Sequence, residues 1–223
     1  MRKVMNVSRL SVLFLVILCF ATQISLFAQT EREIITLDGT FSKTYNLQSG
    51  GRFSVDNHNG RIEIESWDRN EVEIEATERR GDRDDRIEIE IVYSSDRISV
   101  HTEYPDRDNR NFNLFRGERS RADYKIRVPR NVNLDSDSHN GDIRIREITG
   151  RVDASTHNGN VYVDDVTGDV FGTSHNGDID LRGVAGEVES QTHNGDITIE
   201  QSQTTGIRAT THNGRIRGDF TVD

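Results

Sequence analysis

The sequence predicts an all-β chain: a parallel β-solenoid (β-helix) of about 18 residues per coil with an irregular N-terminal strand insertion. Three observations carry that prediction. The tripeptide His-Asn-Gly occurs six times, beginning at His58, His139, His157, His175, His193 and His212, and the last four gaps are 18, 18, 18 and 19 residues. The residues after each glycine alternate apolar and polar, as in a half-buried strand, with no helical period. Hydrophobic residues make up only 33% of the chain, too few for a conventional globule of this length but enough for a narrow column filled by two or three side chains per coil.

Residues 1–28 read as a secretory signal peptide. Arg2, Lys3 and Arg9 form a basic start, Leu10 to Phe20 is apolar, and Phe27-Ala28 precedes a polar sequence from Gln29, so cleavage near Ala28 is expected. The competing reading is an uncleaved anchor, which Thr22, Gln23 and Ser25 weaken. The only cysteine, Cys19, lies in this segment and sits among residues too bulky for lipoprotein processing. The remaining 195 residues hold 25 basic and 38 acidic side chains, a net charge of −13 against −10 for the whole chain. Without cysteine they form no disulfide or thiolate metal site. The negative balance argues against nucleic acid and anionic lipid as partners.

Residues 29–130 form an N-terminal β region. Phe53 to Glu65 reads as a first rung, carrying His58-Asn59-Gly60. Val72 to Thr77, Arg86 to Tyr93 and Arg97 to Glu103 alternate strictly and read as longer strands joined by hairpins. Pro105 to Arg121 is charged and aperiodic, an exposed loop. Tyr124 to Val128, closed by Pro129, leads into the regular repeats of residues 131–223.

In those repeats each period holds two strand-turn units, one opened by Asn-Gly and one by a second glycine such as Gly150, Gly168, Gly186 or Gly206. The turn residues are Asn140-Gly141, Asn158-Gly159, Asn176-Gly177, Asn194-Gly195 and Asn213-Gly214, a pair that tolerates positive φ. Stacking one repeat per coil gives inward columns of Ile143, Val161, Ile179, Ile197 and Ile216, of Ile145, Val163, Leu181 and Ile199, and of Val152, Val170, Val188 and Ile207. A column of small residues, Ala154, Gly172, Ser190 and Ala209, faces the large ones. Outside, Arg146, Asp164, Arg182 and Glu200 alternate in sign, which favours one register.

The repeated N-G-[DN]-[IV]-x-[IVL] and T-G-x-V pattern, with Tyr124-Lys125-Ile126-Arg127-Val128-Pro129 before it, resembles a bacterial family of β-strand-repeat proteins labelled putative adhesins, whose domain is one of unknown function. The resemblance spans about Phe53 to Asp223. It implies a parallel β-solenoid in exported or envelope-associated proteins, some linked to envelope stress, and carries over no catalytic residue. Histidine before every Asn-Gly departs from the pattern.

The plain role of His-Asn-Gly is structural: Asn and Gly close the turn, Asn side chains hydrogen-bond along their column, and imidazoles form a surface stripe. Alternation places Asn158 inward with Thr156 and His157 outward. The sharper role is a metal ladder of His139, His157, His175, His193 and His212, but ligands about 4.8 Å apart on parallel vectors do not converge on one centre. A third reading is pH response, since neighbouring imidazolium groups repel and protonation near pH 6 would weaken the rungs. Calcium in Gly-Asp turns is disfavoured because the residues after the glycines, Asp142, Asn160, Asp178, Asp196 and Arg215, are not consistently carboxylates.

The expected function is non-enzymatic: an exported structural or adhesin-like module of the envelope, periplasmic, at the cell surface or secreted, contacting an envelope protein or glycan, without cofactor or nucleic acid, and with membrane contact only through an uncleaved signal segment. A sensor partner in envelope stress is one rival. A polysaccharide-active β-helix enzyme is another, with Asp106, Asp108, Arg110, Arg116 and Glu118 in the one long loop and Glu63/Glu65 and Glu88/Glu90 as paired carboxylates. Nothing distinguishes those pairs in so acidic a chain.

Overall fold

A computed structural model describes residues 30–81, 86–105 and 120–222. Residues 1–29, which include the expected signal peptide, and most of the Pro105–Arg121 loop, including its five charged candidates, lie outside the described residues. Among the described residues every element is a strand, and no helix is long and apolar enough to cross a membrane.

The strands form one sheet path running along two faces. On the first face lie β1 (Glu31–Leu37), β6 (Ile87–Tyr93), β7 (Arg97–Glu103), β3 (Arg52–Asn59), β9 (Asn133–Asn140), β11 (Val152–Asn158) and β13 (Val170–Asn176), in that order. On the second lie β2 (Thr40–Asn46), β5 (Glu71–Arg79), β8 (Arg121–Pro129), β4 (Ile62–Trp67), β10 (Ile143–Thr149) and β12 (Val161–Thr167). The long strand β14 (Ile179–Asn194) joins the faces: its first half pairs with β12 and its second with β13. β15 (Ile197–Asn213) continues both rows, and β16 (Ile216–Val222) pairs with the first half of β15.

From β3 and β4 onward neighbouring strands run parallel, and from β9 and β10 to the first half of β15 each residue stands over the one 18 positions earlier, as with Val152 under Val170 and Val170 under Val188. Phe53 to Glu65 joins this stack directly, since β3 pairs with β9 and β4 with β10. Orientation changes at the N-terminal end, where β1–β6, β6–β7, β2–β5 and β5–β8 are antiparallel. The sheet as a whole is therefore mixed and solenoid-like rather than purely parallel. For β6–β7 the reason is connection length: a parallel partner needs a crossover, and Ser94 to Asp96 is too short to make one.

Inward columns fill the space between the faces. Ile143, Val161, Ile179 and Ile197 are buried, and only Ile216 on the last strand is half exposed. A Cβ on Gly172 would meet Ile179 Cγ2 at 3.3 Å and Leu181 Cδ2 at 3.9 Å, so the small column does face the large ones across the core. The columns continue into the N-terminal strands, Val152 aligning with Leu134 and Phe53, and Ile143 with Ile62 and Tyr124.

One inward column breaks the expected alternation. Ile148, Val166, Val184 and Ser202 are buried although Arg146, two residues before Ile148, points out. The residue between them is left-handed in these four coils: Glu147 (φ 58°), Asp165 (φ 56°), Gly183 (φ 61°) and Gln201 (φ 52°). A single left-handed residue shifts the side-chain phase by one and bends the strand, as in a bulge. The 19-residue gap has a similar cause: β14 and β15 slip register between Gly186 and Glu187, absorbing one extra residue.

Candidate functional site

Each Asn-Gly corner is a point where backbone groups must be satisfied between coils. Gly141 N–H donates to the Asn158 carbonyl at 3.0 Å, Gly159 to Asn176 at 3.1 Å and Gly177 to Asn194 at 3.0 Å. The glycine carbonyls accept from hydroxyls of the next coil, from Thr156 to Gly141 and Ser174 to Gly159 at 3.0 Å, and from Thr192 to Gly177 at 2.9 Å. Asn57 fills the hydroxyl's place in the first rung, its amide donating to the Ala122 carbonyl at 2.8 Å.

These glycines are needed for a different reason from the one the turn pair suggests. Gly141, Gly159, Gly177, Gly195 and Gly214 are not in the left-handed region; a Cβ on any of them would overlap the carbonyl oxygen of the glycine one coil earlier. Positive φ occurs instead at the first rung's Gly60 (φ 120°) and at the other corner, at Gly150 (φ 133°) and Gly168 (φ 143°). Close stacking, rather than turn conformation, excludes a side chain at the Asn-Gly corner.

Beside the glycines runs an unbroken amide ladder. Asn140 Nδ2 donates to Asn59 Oδ1 at 2.8 Å, Asn158 to Asn140 at 2.8 Å, Asn176 to Asn158 at 2.9 Å, Asn194 to Asn176 at 2.7 Å and Asn213 to Asn194 at 2.8 Å. Asn158, Asn176 and Asn194 are exposed, so the ladder lies on the corner and not inside the core as strict alternation implies. The residue after each glycine builds another ladder. Asn160 N–H donates to Asp142 Oδ1 at 3.0 Å, and Asp178, Asp196 and Arg215 N–H donate to Asn160, Asp178 and Asp196 at 2.8 Å. Asp and Asn interchange there because the position needs a short side-chain acceptor, which either supplies.

The imidazoles stack as a stripe on the outside of this corner. Rings of His58, His139, His157, His175, His193 and His212 lie 4.7–4.9 Å apart with interplanar angles of 1–5°. Parallel rings direct their in-plane lone pairs along parallel lines, whereas a zinc–nitrogen bond of about 2.0–2.1 Å requires convergence. Among the described residues no group of three or more His, Cys, Asp or Glu is placed to hold a metal. Tyr104 closes the stripe at the His58 end, its ring 6.0 Å away and its hydroxyl donating to the Asn59 carbonyl at 3.0 Å. The seventh histidine, His101, pairs with Asp56 at 3.0 Å.

Next to the stripe, outward side chains of the first face make a shallow groove lined by Ser155, Thr173, Gln191, His157, His175 and His193. Toward the N-terminal end the same outer surface turns acidic, with Asp56, Asp135, Asp137 and Asp153 on adjoining strands. Burial against its neighbours, then the carboxylates of Asp135 and Asp56, push Asp137 up to about 6, even though the side chain is open to solvent on one side.

The second face carries the charge alternation further than four positions. Glu73, Arg127, Glu65, Arg146, Asp164, Arg182 and Glu200 are successive cross-strand neighbours, alternating in sign throughout. Arg127 contacts Glu73 at 3.1 Å and Glu65 at 3.2 Å, and Arg182 contacts Glu200 at 3.4 Å. The paired carboxylates weighed for acid–base chemistry are each engaged by an arginine: Glu63 by Arg61, Glu65 by Arg127, Glu88 by Arg86 and Glu90 by Arg32.

Repetition therefore defines the molecule: a solenoid-like all-β protein whose corners are ladders of identical side chains. It belongs to the family described as Toastrack DUF4097, whose model matches residues 51–222. No curated protein matches. Two crystal structures are similar to this chain at low score, a putative cell adhesion protein from Clostridium sporogenes ATCC 15579 (9% identity, TM-score 0.40, 86% of this chain and 100% of that one) and a putative adhesin from Bacteroides fragilis NCTC 9343 (14%, 0.39, 82% and 95%).

Proposed function

We propose that this protein is an exported, non-enzymatic interaction module of the bacterial envelope, adhesin-like in using a rigid repetitive surface rather than a cleft, with residues 131–223 acting as a two-faced parallel solenoid of 18-residue coils. The observation that carries the reading is the groove on the first face. Hydroxyls, a carboxamide and imidazoles recur there at a fixed rung spacing, on strands whose backbone is held on both sides. Such an array offers hydrogen-bonding groups without formal negative charge, in a chain whose mature net charge is −13. A polyhydroxylated polymer or a polar protein strand fits it; a polyanion such as nucleic acid is repelled by the surrounding acidic surface. Preorganised groups lose little entropy when they bind, so many weak contacts along a polymer add up.

Sedimentation of the purified chain with isolated cell-wall glycan tests the reading. Retention that falls when Thr173 and Gln191 are both replaced by glutamate supports it. Retention unchanged by that pair, or absent with cell-wall glycan and envelope protein fractions alike, removes the first face as a binding surface.

A further inference from the structure

We infer that Asn213 is a site of spontaneous covalent modification, its amide converting to aspartate or isoaspartate, while stacking keeps the other five Asn-Gly pairs intact. An Asn-Gly pair is chemically exposed because glycine has no Cβ to obstruct attack by its own nitrogen on the preceding side chain. In that step Gly214 N gives up its proton to hydroxide and bonds to Asn213 Cγ. The Cγ–Nδ2 bond breaks, and the nitrogen leaves as ammonia after taking a proton from water. Water then opens the cyclic imide at one carbonyl or the other, leaving aspartate or isoaspartate. No oxidant or reductant is involved.

Inside the stack both reacting groups are occupied. The attacking nitrogens of Gly60, Gly141, Gly159, Gly177 and Gly195 donate to the asparagine carbonyl of the next coil at 2.9–3.1 Å. The amides of Asn140, Asn158, Asn176 and Asn194 are each held on both sides by the ladder, and Asn59 Oδ1 accepts from Asn140. Cyclisation there requires local opening of a rung, which is rare in the middle of a cooperative stack and frequent at its end. Among the described residues Asn213 stands at that end. Its amide has one ladder bond, to Asn194, and among the described residues no acceptor lies over Gly214 N–H. Both residues are exposed.

The chain contains its own control. His58-Asn59-Gly60-Arg61-Ile62 and His212-Asn213-Gly214-Arg215-Ile216 are the same pentapeptide at opposite ends of the ladder. The first lies beneath the next coil, with Tyr104 on the Asn59 carbonyl; the second is the last Asn-Gly rung among the described residues. Any difference in reactivity between them comes from tertiary structure and not from local sequence. Conversion at 213 also removes the donor to Asn194 Oδ1 and sets a carboxylate against that oxygen, so it loosens the final coil.

The full chain, incubated folded at mildly alkaline pH and then digested, reports the amide-to-acid mass change at each site. The expected result is conversion at Asn213 at least about tenfold faster than at Asn59, because only the end rung opens freely, with the two rates equal in guanidinium. Equal rates in the folded chain, or conversion at Asn158 as fast as at Asn213, overturn the proposal. Asn213→Gln, whose longer side chain disfavours the five-membered ring, must abolish the C-terminal mass change; persistence of that change in the variant also overturns it.

Discussion

Gly159 illustrates how one atom decides the stack. A Cβ there would overlap the Gly141 carbonyl oxygen, a backbone atom that cannot turn aside. Gly159→Ala is therefore expected to cost more than about 3 kcal/mol in chemical denaturation, beyond the usual range for overpacking because backbone must move. Gly206→Ala provides the contrast. Nothing lies within 4 Å of a Cβ at that position and its φ is ordinary, so its cost should stay within about 0.5 kcal/mol. Gly206 belongs to the other corner, where a Cβ on Gly168 or Gly186 would also overlap the glycine carbonyl one coil earlier; the register slip between Gly186 and Glu187 sets Gly206 beside Glu187 and relieves it. Asn, Asp and the inward Ser and Thr act through the same demand, that each corner's backbone groups find partners in the next coil.

Within strands β3, β9 and β11 the outward positions are set by neighbours one rung away. Asp137 stands beside Asp56 and Asp135, so its carboxyl is pushed up to about 6 in the folded chain, above its usual value of 3.8. A raised folded value means that the native state binds the proton more tightly than the unfolded chain does. Native Asp137 thus destabilises the fold at pH 7, and that penalty disappears as pH falls from about 6 toward 4. Denaturation of Asp137→Asn across this range should show a variant more stable than the parent at pH 7, with the difference closing by pH 4. A constant difference at all pH values would contradict the assignment. The alternating column on the second face acts in the opposite sense: each exposed pair contributes little, but a slipped register sets Arg beside Arg and Glu beside Asp.

For the whole molecule, stability is a sum over coils and the contacts between them. Removing residues 160–177 deletes one complete coil and joins Gly159 to Asp178, restoring every column. That variant should keep a β-sheet circular dichroism spectrum and a cooperative unfolding transition at lower denaturant. Removing only residues 160–168 places β13 on the wrong face, sets Gly172 in a large-residue column, and should abolish the transition. Similar unfolding of the two deletions would mean that coils are not the units of the fold.

Period and alternation in the sequence already determined much of this: strands rather than helices, the 18-residue spacing, three of the four apolar columns, the small column opposite them and the His-Asn-Gly stripe. All are local or strictly periodic signals, and a repeated contact leaves its mark in every repeat. The tertiary structure alone decided the antiparallel strands at the N-terminal end, the left-handed column at Glu147, Asp165, Gly183 and Gln201, and the inward turn of Ile148 that follows from it. It also decided why glycine is required at each corner. Those features depend on which backbone atom of another coil lies a few ångströms away, and no residue's identity records that distance.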